Sequence, residues 1–299
     1  MTGRLGVYLV VVAMLTACSG WPVTDRGTDI VAAQRGVFVF AGYEPLHDRP
    51  VRVWYDAPAD PSTAQILIVM HGVGRNGQEY LADWSGLVAG RNVLVLAPEF
   101  SDELFPGAEM YNLGNVQVQD GRSVPTEQWT FQIVEALFDH IKGAVGNPSE
   151  SYALFGHSAG AQFVHRFIEF MPTHRARVAV AANAGWYTVL DDTVTFPYGL
   201  AGSPRKEGEL GNALASNLVI LLGGDDVDGE DDSLRRDAGS DEQGKNRLDR
   251  GLNFYRTARN TASRQSLPFA WRLTVLPAVA HSHTDMAQAA VPIVLNDAR

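Results

Sequence analysis

The chain has 299 residues, 45% hydrophobic and 19% charged, too apolar for a disordered polypeptide and long enough for one large domain or two small ones. Its net charge of −10, with no basic patch, argues against nucleic acid as a partner. A single cysteine excludes an internal disulfide, a Cys-rich zinc site and a dithiol redox pair.

At the N-terminus, one positive charge at Arg4 precedes the apolar run Leu5–Leu15. The run is too short to span a bilayer comfortably as a mature helix and reads as a secretory signal. Leu15-Thr16-Ala17-Cys18 follows, and the only cysteine of the chain sits there. This segment resembles the bacterial lipobox, which implies cleavage before Cys18 and lipidation of its thiol. An ordinary signal peptide with an incidental cysteine is the alternative. The expected organisation is a lipoprotein signal peptide over 1–17, a tether over 18–35 and one domain over 36–299. Residues 19–35 show no clear period and reach at most about 60 Å when extended, enough to hold the domain clear of a bilayer. The expected location is the bacterial cell envelope, exported and anchored to the membrane through Cys18. Ser19 in place of Asp implies the outer membrane if the cell is Gram-negative.

Short β-rich runs then occur at Val37–Phe40, Val51–Tyr55, Ile66–Met70, Val93–Ala97, Tyr152–Phe155, Val178–Ala182, Leu218–Leu222 and Trp271–Leu276. The first two are close enough to pair antiparallel. Several later runs are apolar without alternation, as in strands covered on both faces. Helical spacing links Tyr80, Leu81, Trp84, Leu87 and Val88, and again Phe131, Ile133, Val134, Leu137, Phe138 and Ile141, the latter behind Pro125 and Thr126 as start signals. Further helices are predicted over about 159–171, 247–259 and 286–295. The alternation predicts an α/β fold, a three-layer α/β/α sandwich around a mostly parallel eight-stranded sheet.

The chemistry lies at strand ends. The run Tyr152–Phe155 leads into Gly156-His157-Ser158-Ala159-Gly160 and then a helix, so the pattern G-x-S-x-G stands in the strand–turn–helix setting that gives it meaning. Such a turn lifts the Ser158 hydroxyl above the sheet at the positive end of the next helix. A serine hydroxyl is a weak nucleophile and needs a base. His281, on the loop after the last strand, is favoured, with His283 its rival. His165 reads as a packing residue within the helix, and His157 adjoins the serine but points elsewhere. The base needs a carboxylate to fix its tautomer. The strand 218–222 ends in Gly223-Gly224-Asp225-Asp226-Val227-Asp228. The spacing favours Asp226, with Asp225 and Asp228 as alternatives. The acidic stretch 225–232 reads as a solvated loop; convergence of its carboxylates on calcium is the second reading. An oxyanion would be held by the backbone N–H of Ala159 and by that of Val73, in the glycine-rich loop Met70-His71-Gly72-Val73-Gly74.

The order Ser158, Asp226, His281, after the fifth, seventh and eighth strands, resembles the α/β-hydrolase superfamily over residues 36–299. The segments Phe155–Phe163 and Ala181–Tyr187 look like the bacterial branch near polyhydroxyalkanoate depolymerases and feruloyl esterases, although such enzymes often carry a cysteine where Val73 stands here. The resemblance implies a serine hydrolase that cleaves a small-molecule or polymeric carboxylic ester through an acyl-enzyme, with no metal and no organic cofactor. A peptidase, thioesterase or acyltransferase with the same triad is the alternative within enzymes, and a non-catalytic envelope lipoprotein the alternative outside them. Trp186, Tyr187, Phe196, Pro197 and Tyr198 either line the substrate pocket or plug a loop, and Glu99-Phe100 and Tyr111-Asn112 are expected to border the same cleft.

Overall fold

A computed structural model describes residues 23–24, 30, 32–206 and 208–295. The signal segment 1–17 and Cys18 lie outside the described residues, as does most of the tether. The strands are β1 (Val23–Thr24), β2 (Arg35–Phe40), β3 (Val51–Asp56), β4 (Gln65–Met70), β5 (Val93–Glu99), β6 (Tyr152–His157), β7 (Ala176–Ala182), β8 (Leu218–Gly223) and β9 (Arg272–Leu276). The helices are α1 (Gly77–Leu87), α2 (Gly107–Met110), α3 (Gln132–Val145), α4 (Ala159–Phe170), α5 (Leu210–Ala215), α6 (Ala238–Asp241), α7 (Arg247–Gln265) and α8 (His283–Val294).

The strands form one sheet in the order β1-β2-β3-β5-β4-β6-β7-β8-β9. The eight predicted strands are all present, and the two-residue β1 adds an edge beside β2. β2 pairs antiparallel with β3, and β3 with β5; from β5 through β9 every pairing is parallel. Period two survives inside the apolar runs. In β4, Ile66, Ile68 and Met70 belong to one core and Leu67 and Val69 to the other. The second core is closed by Leu81 and Trp84 of α1 and by Met286, Ala290 and Val294 of α8. The first is closed by Phe138 of α3, Phe163 and Phe167 of α4 and Phe254 of α7. These are the three expected layers, because an apolar strand in a parallel sheet needs a helix over each face.

Two helix boundaries differ from expectation by more than a turn. Pro125 and Thr126 open a 3-10 turn over Thr126–Gln128, and α3 starts only at Gln132. Between them Trp129 is extended, its buried ring edge-on to Phe170 and its indole N–H donating to the Val124 carbonyl, so side-chain burial overrides the start signal. α7 runs six residues beyond its expected end because Thr261 and Ala262 are still buried. The short helices α2, α5 and α6 had no periodic signal to announce them.

Candidate active site

The β6–α4 turn carries Ser158 at φ 57°, ψ −117°, a strained conformation for a non-glycine residue. The flanking glycines permit it by close packing rather than by φ. A Cβ on Gly156 would stand 2.2 Å from the Gly160 carbonyl oxygen, and one on Gly160 would stand 2.1 Å from the Met70 carbonyl oxygen. The Ser158 N–H donates to the Ala182 carbonyl at 3.0 Å, which pins the turn onto β7.

From loops more than 60 residues away in sequence, one side chain reaches this hydroxyl and a second backs the first. His281 Nε2 lies 3.1 Å from Ser158 Oγ, and His281 Nδ1 lies 2.8 Å from Asp226 Oδ2. Since the carboxylate accepts the Nδ1 proton, Nε2 presents its lone pair to the serine O–H. Asp226 is 2% exposed, whereas Asp225 and Asp228 are exposed and Asp228 accepts the Glu230 N–H in a surface turn. His283 does not approach the serine; its Nδ1 bonds Asp83 of α1. The structure therefore brings Ser158, His281 and Asp226 together and leaves out Asp225, Asp228 and His283.

The acid and base loops are sewn to each other by backbone. Gly224 N–H donates to the Leu276 carbonyl and Asp225 N–H to the Val279 carbonyl. Asn183, at φ 51°, bridges them through its side chain, accepting the Gly223 N–H at 2.7 Å and donating to the Ala280 carbonyl at 3.1 Å. Sequence reasoning missed this residue; its position at the end of β7, beside the elbow strand, was the available signal. Arg247 was missed as well. Fully buried at the start of α7, it reaches Asp226 Oδ1 at 3.4 Å, Asp231 at 3.2 Å and the Ser233 hydroxyl at 2.7 Å. Asp231 is thus paired with Arg247 and Glu230 with Arg236. Among the described residues no group of three or more His, Cys, Asp or Glu side chains is placed to hold a metal ion.

The loop after β4 is fixed by His71. Its Nε2 accepts the Phe100 N–H at 3.0 Å, so the proton sits on Nδ1, which donates to the Gly72 carbonyl at 2.9 Å. Complete burial lowers its pKa to about 3, which keeps the ring neutral in this donor–acceptor role. With the Gly72 carbonyl held by His71, the trans peptide turns the Val73 N–H to the opposite side. Val73, 67% exposed, and Ala159 line the same cavity as Ser158. His165 is buried as expected, bonded through Nδ1 to the Ala161 carbonyl and accepting the Thr188 N–H on Nε2. His157 departs from expectation. Its ring packs 4.5 Å from that of His281, because the turn that projects Ser158 outward folds the preceding side chain under the base.

The cavity in front of Ser158 measures about 310 Å³ and is lined by Tyr111, Asn112, Gln162, Trp186 and Arg235 among others. The aromatic stretch divides in two. Trp186 faces the cavity, and its ring packs on the guanidinium groups of buried Arg166 and exposed Arg235. Tyr187 is core, stacked on Phe254, while Phe196, Pro197 and Tyr198 border a separate hollow. Tyr111 and Asn112 line the cleft as expected. Glu99 and Phe100 do not: Glu99 accepts from Trp54, Arg52 and the Gly77 N–H, and Phe100 is buried in the aromatic core.

Among solved structures, poly(aspartic acid) hydrolase-1 from Sphingomonas sp. KT-1 is 40% identical, with a TM-score of 0.85 over 89% of this chain and 100% of its own. A poly(3-hydroxybutyrate) depolymerase from Bordetella parapertussis is 32% identical, with a TM-score of 0.84 over 89% and 90%. An S-formylglutathione hydrolase from Agrobacterium tumefaciens shares the fold at 12% identity, with a TM-score of 0.54 over 90% and 95%. No family model and no curated protein matches the chain.

Proposed function

The chain belongs to the α/β-hydrolase superfamily, and from that premise we propose that it cleaves carboxylic esters by acyl transfer to Ser158. The observation that carries this reading is the continuous chain Ser158–His281–Asp226, at 3.1 and 2.8 Å, opening on the cavity. His281 takes the proton as Ser158 Oγ attacks the ester carbonyl. Asp226 holds the imidazole in the correct tautomer and stabilises its charged form. The N–H groups of Val73 and Ala159 meet the developing oxyanion, a contribution typically worth a few kcal/mol of barrier per donor. His281 then protonates the departing alcohol, and water releases the acyl group by the reverse path.

An assay of p-nitrophenyl esters across acyl chain lengths, on wild type and Ser158→Ala, tests the mechanism. Turnover is expected to fall by about 10³-fold or more in the variant, because the covalent route needs the nucleophile. A variant that retained most of the activity would remove the mechanism. Failure of a fluorophosphonate to label Ser158 would favour a binding platform instead.

A second reading has specific support. The more similar of the two polymer-hydrolase relatives is named for poly(aspartic acid), an amide-linked polyanion, and the cleft here carries Arg235, whose guanidinium packs on Trp186 and pairs with Asp237. Poly(aspartic acid) and poly(3-hydroxybutyrate) therefore belong in the same assay. Release from the first alone favours an amide hydrolase for acidic polymers.

For the segment before the domain, we propose lipid anchoring through Cys18 in the bacterial envelope, carried by the lipobox-like sequence. Metabolic labelling with a tagged palmitate is expected to mark the wild type and to leave Cys18→Ser unlabelled. Equal labelling of both would remove the anchor.

A further inference from the structure

Tyr80 enters the sequence as one apolar position on the buried face of α1, and in the fold it is 4% exposed. Its hydroxyl nevertheless lies at the centre of a polar junction. It sits 3.0 Å from His157 Nδ1 and packs against the backbone of Gly72. A Cβ on Gly72 would stand 2.7 Å from this oxygen and 3.7 Å from Ser158 Cβ, so hydroxyl, glycine and nucleophile are packed as one unit. The peptide joining His71 to Gly72 is held from two sides: the Tyr80 oxygen packs against Gly72, and the Tyr111 hydroxyl donates to the His71 carbonyl at 2.7 Å.

We propose that Tyr80 is a positioning residue that fixes the oxyanion loop against the nucleophile turn, setting where the Val73 N–H points. The proposal rests on the roles of Ser158 and Val73 given above. His71 holds the peptide between Gly72 and Val73 at its carbonyl, but it can aim that plane only if the preceding one is also fixed. Tyr80 supplies this restraint and ties it to the elbow, because its other partner, His157, immediately precedes Ser158 and packs under His281. His157 Nε2 is buried without a partner, which leaves the Tyr80 hydroxyl to orient that ring. Burial keeps the phenol protonated and the imidazole uncharged, so the junction places no second cation beside His281 as that ring becomes charged. Behind Tyr80, the ring of His283 stacks at 5.0 Å and is held in turn by Asp83, one turn along α1. A purely apolar role for Tyr80 would require none of these polar contacts.

The test is Tyr80→Phe, which keeps the ring and removes only the hydroxyl. We expect kcat to fall by roughly 10- to 100-fold with KM within about twofold, the signature of an interaction lost in the transition state. The affinity for phenylboronic acid, whose serine adduct is tetrahedral, is expected to fall by the same factor as kcat. The thermal midpoint should move by only a few degrees. Gly72→Ala supplies a second arm. Its added methyl collides with the Tyr80 oxygen in the wild-type background and meets no hydroxyl in the Y80F background. The double variant is therefore expected to lose less than the product of the two single losses. A Y80F kcat within twofold of wild type, a rise in KM that accounts for the whole loss, or strictly multiplicative losses would overturn the proposal. Turnover retained by Ser158→Ala would instead remove the underlying reading. An active wild type, an inactive Ser158→Ala and an unimpaired Y80F together would remove only the positioning role.

Discussion

Two histidine–aspartate pairs leave the chain two residues apart at their histidine ends and finish in different places. His281 is 20% exposed, bonds Asp226 from the end of β8 and reaches Ser158. His283 is 37% exposed, bonds Asp83 from the middle of α1 and stacks on Tyr80 instead. Composition and pairing are alike; the backbone between them differs. His281 still belongs to the loop that Asn183 and Gly223 hold against the ends of β7 and β8, whereas Ser282 caps α8 and turns His283 into its first turn. The pair alone therefore does not identify a base. Its register relative to the nucleophile turn does.

The strongest way to break the comparison is to remove one acid from each pair. Asp226→Asn should lower kcat by about 10³- to 10⁴-fold, since the amide supports the wrong imidazole tautomer. Equal losses in Asp226→Asn and Asp83→Asn, measured with the same ester substrate, would show that the two pairs share the work. A weaker but separable effect concerns the buried histidines against those that reach solvent. His71, His157 and His165 all have pKa values depressed by burial, to about 3 for His71 and well below the ordinary value for the other two. Between these values and an unfolded value near 6.5, the unfolded chain binds protons that the folded chain does not. Stability from these groups is thus complete above about pH 6.5 and is lost as pH falls toward the folded values. The slope approaches about 1.4 kcal/mol per pH unit for each histidine. Urea midpoints recorded from pH 7 to pH 5 should fall accordingly, and His165→Gln should flatten that fall; a flat wild-type profile would contradict the assignment. The smallest expected effect is that of Asp83→Asn itself, a kcat within about threefold of wild type, because Asp83 acts at the far side of Tyr80.

The layers and the nucleophile turn were legible because their signals are local. Apolar runs such as Ile66–Met70 and Leu218–Leu222 must be covered on both faces, and Gly156 and Gly160 flank Ser158 within five consecutive residues. Asp226 and His281 were legible only as members of short lists, since spacing could rank them against Asp225, Asp228 and His283 but could not close the geometry. Arg247 and the Tyr80 hydroxyl were not legible at all, and Asn183 only through its place at the end of β7. Each belongs to a residue type with an ordinary role at its position: a helix-start arginine, a turn asparagine and a tyrosine on an apolar stripe.

What the amino-acid order determined by itself is the α/β architecture and the place of the serine, because both follow from periodicity and steric fit among neighbours in the chain. The tertiary structure alone decided which carboxylate and which imidazole approach that serine, and that the aromatic stretch splits between cleft and core. Those outcomes depend on side chains 55 to 123 positions apart meeting within about 3 Å, and hydrogen bonds discriminate at a scale that residue spacing does not encode.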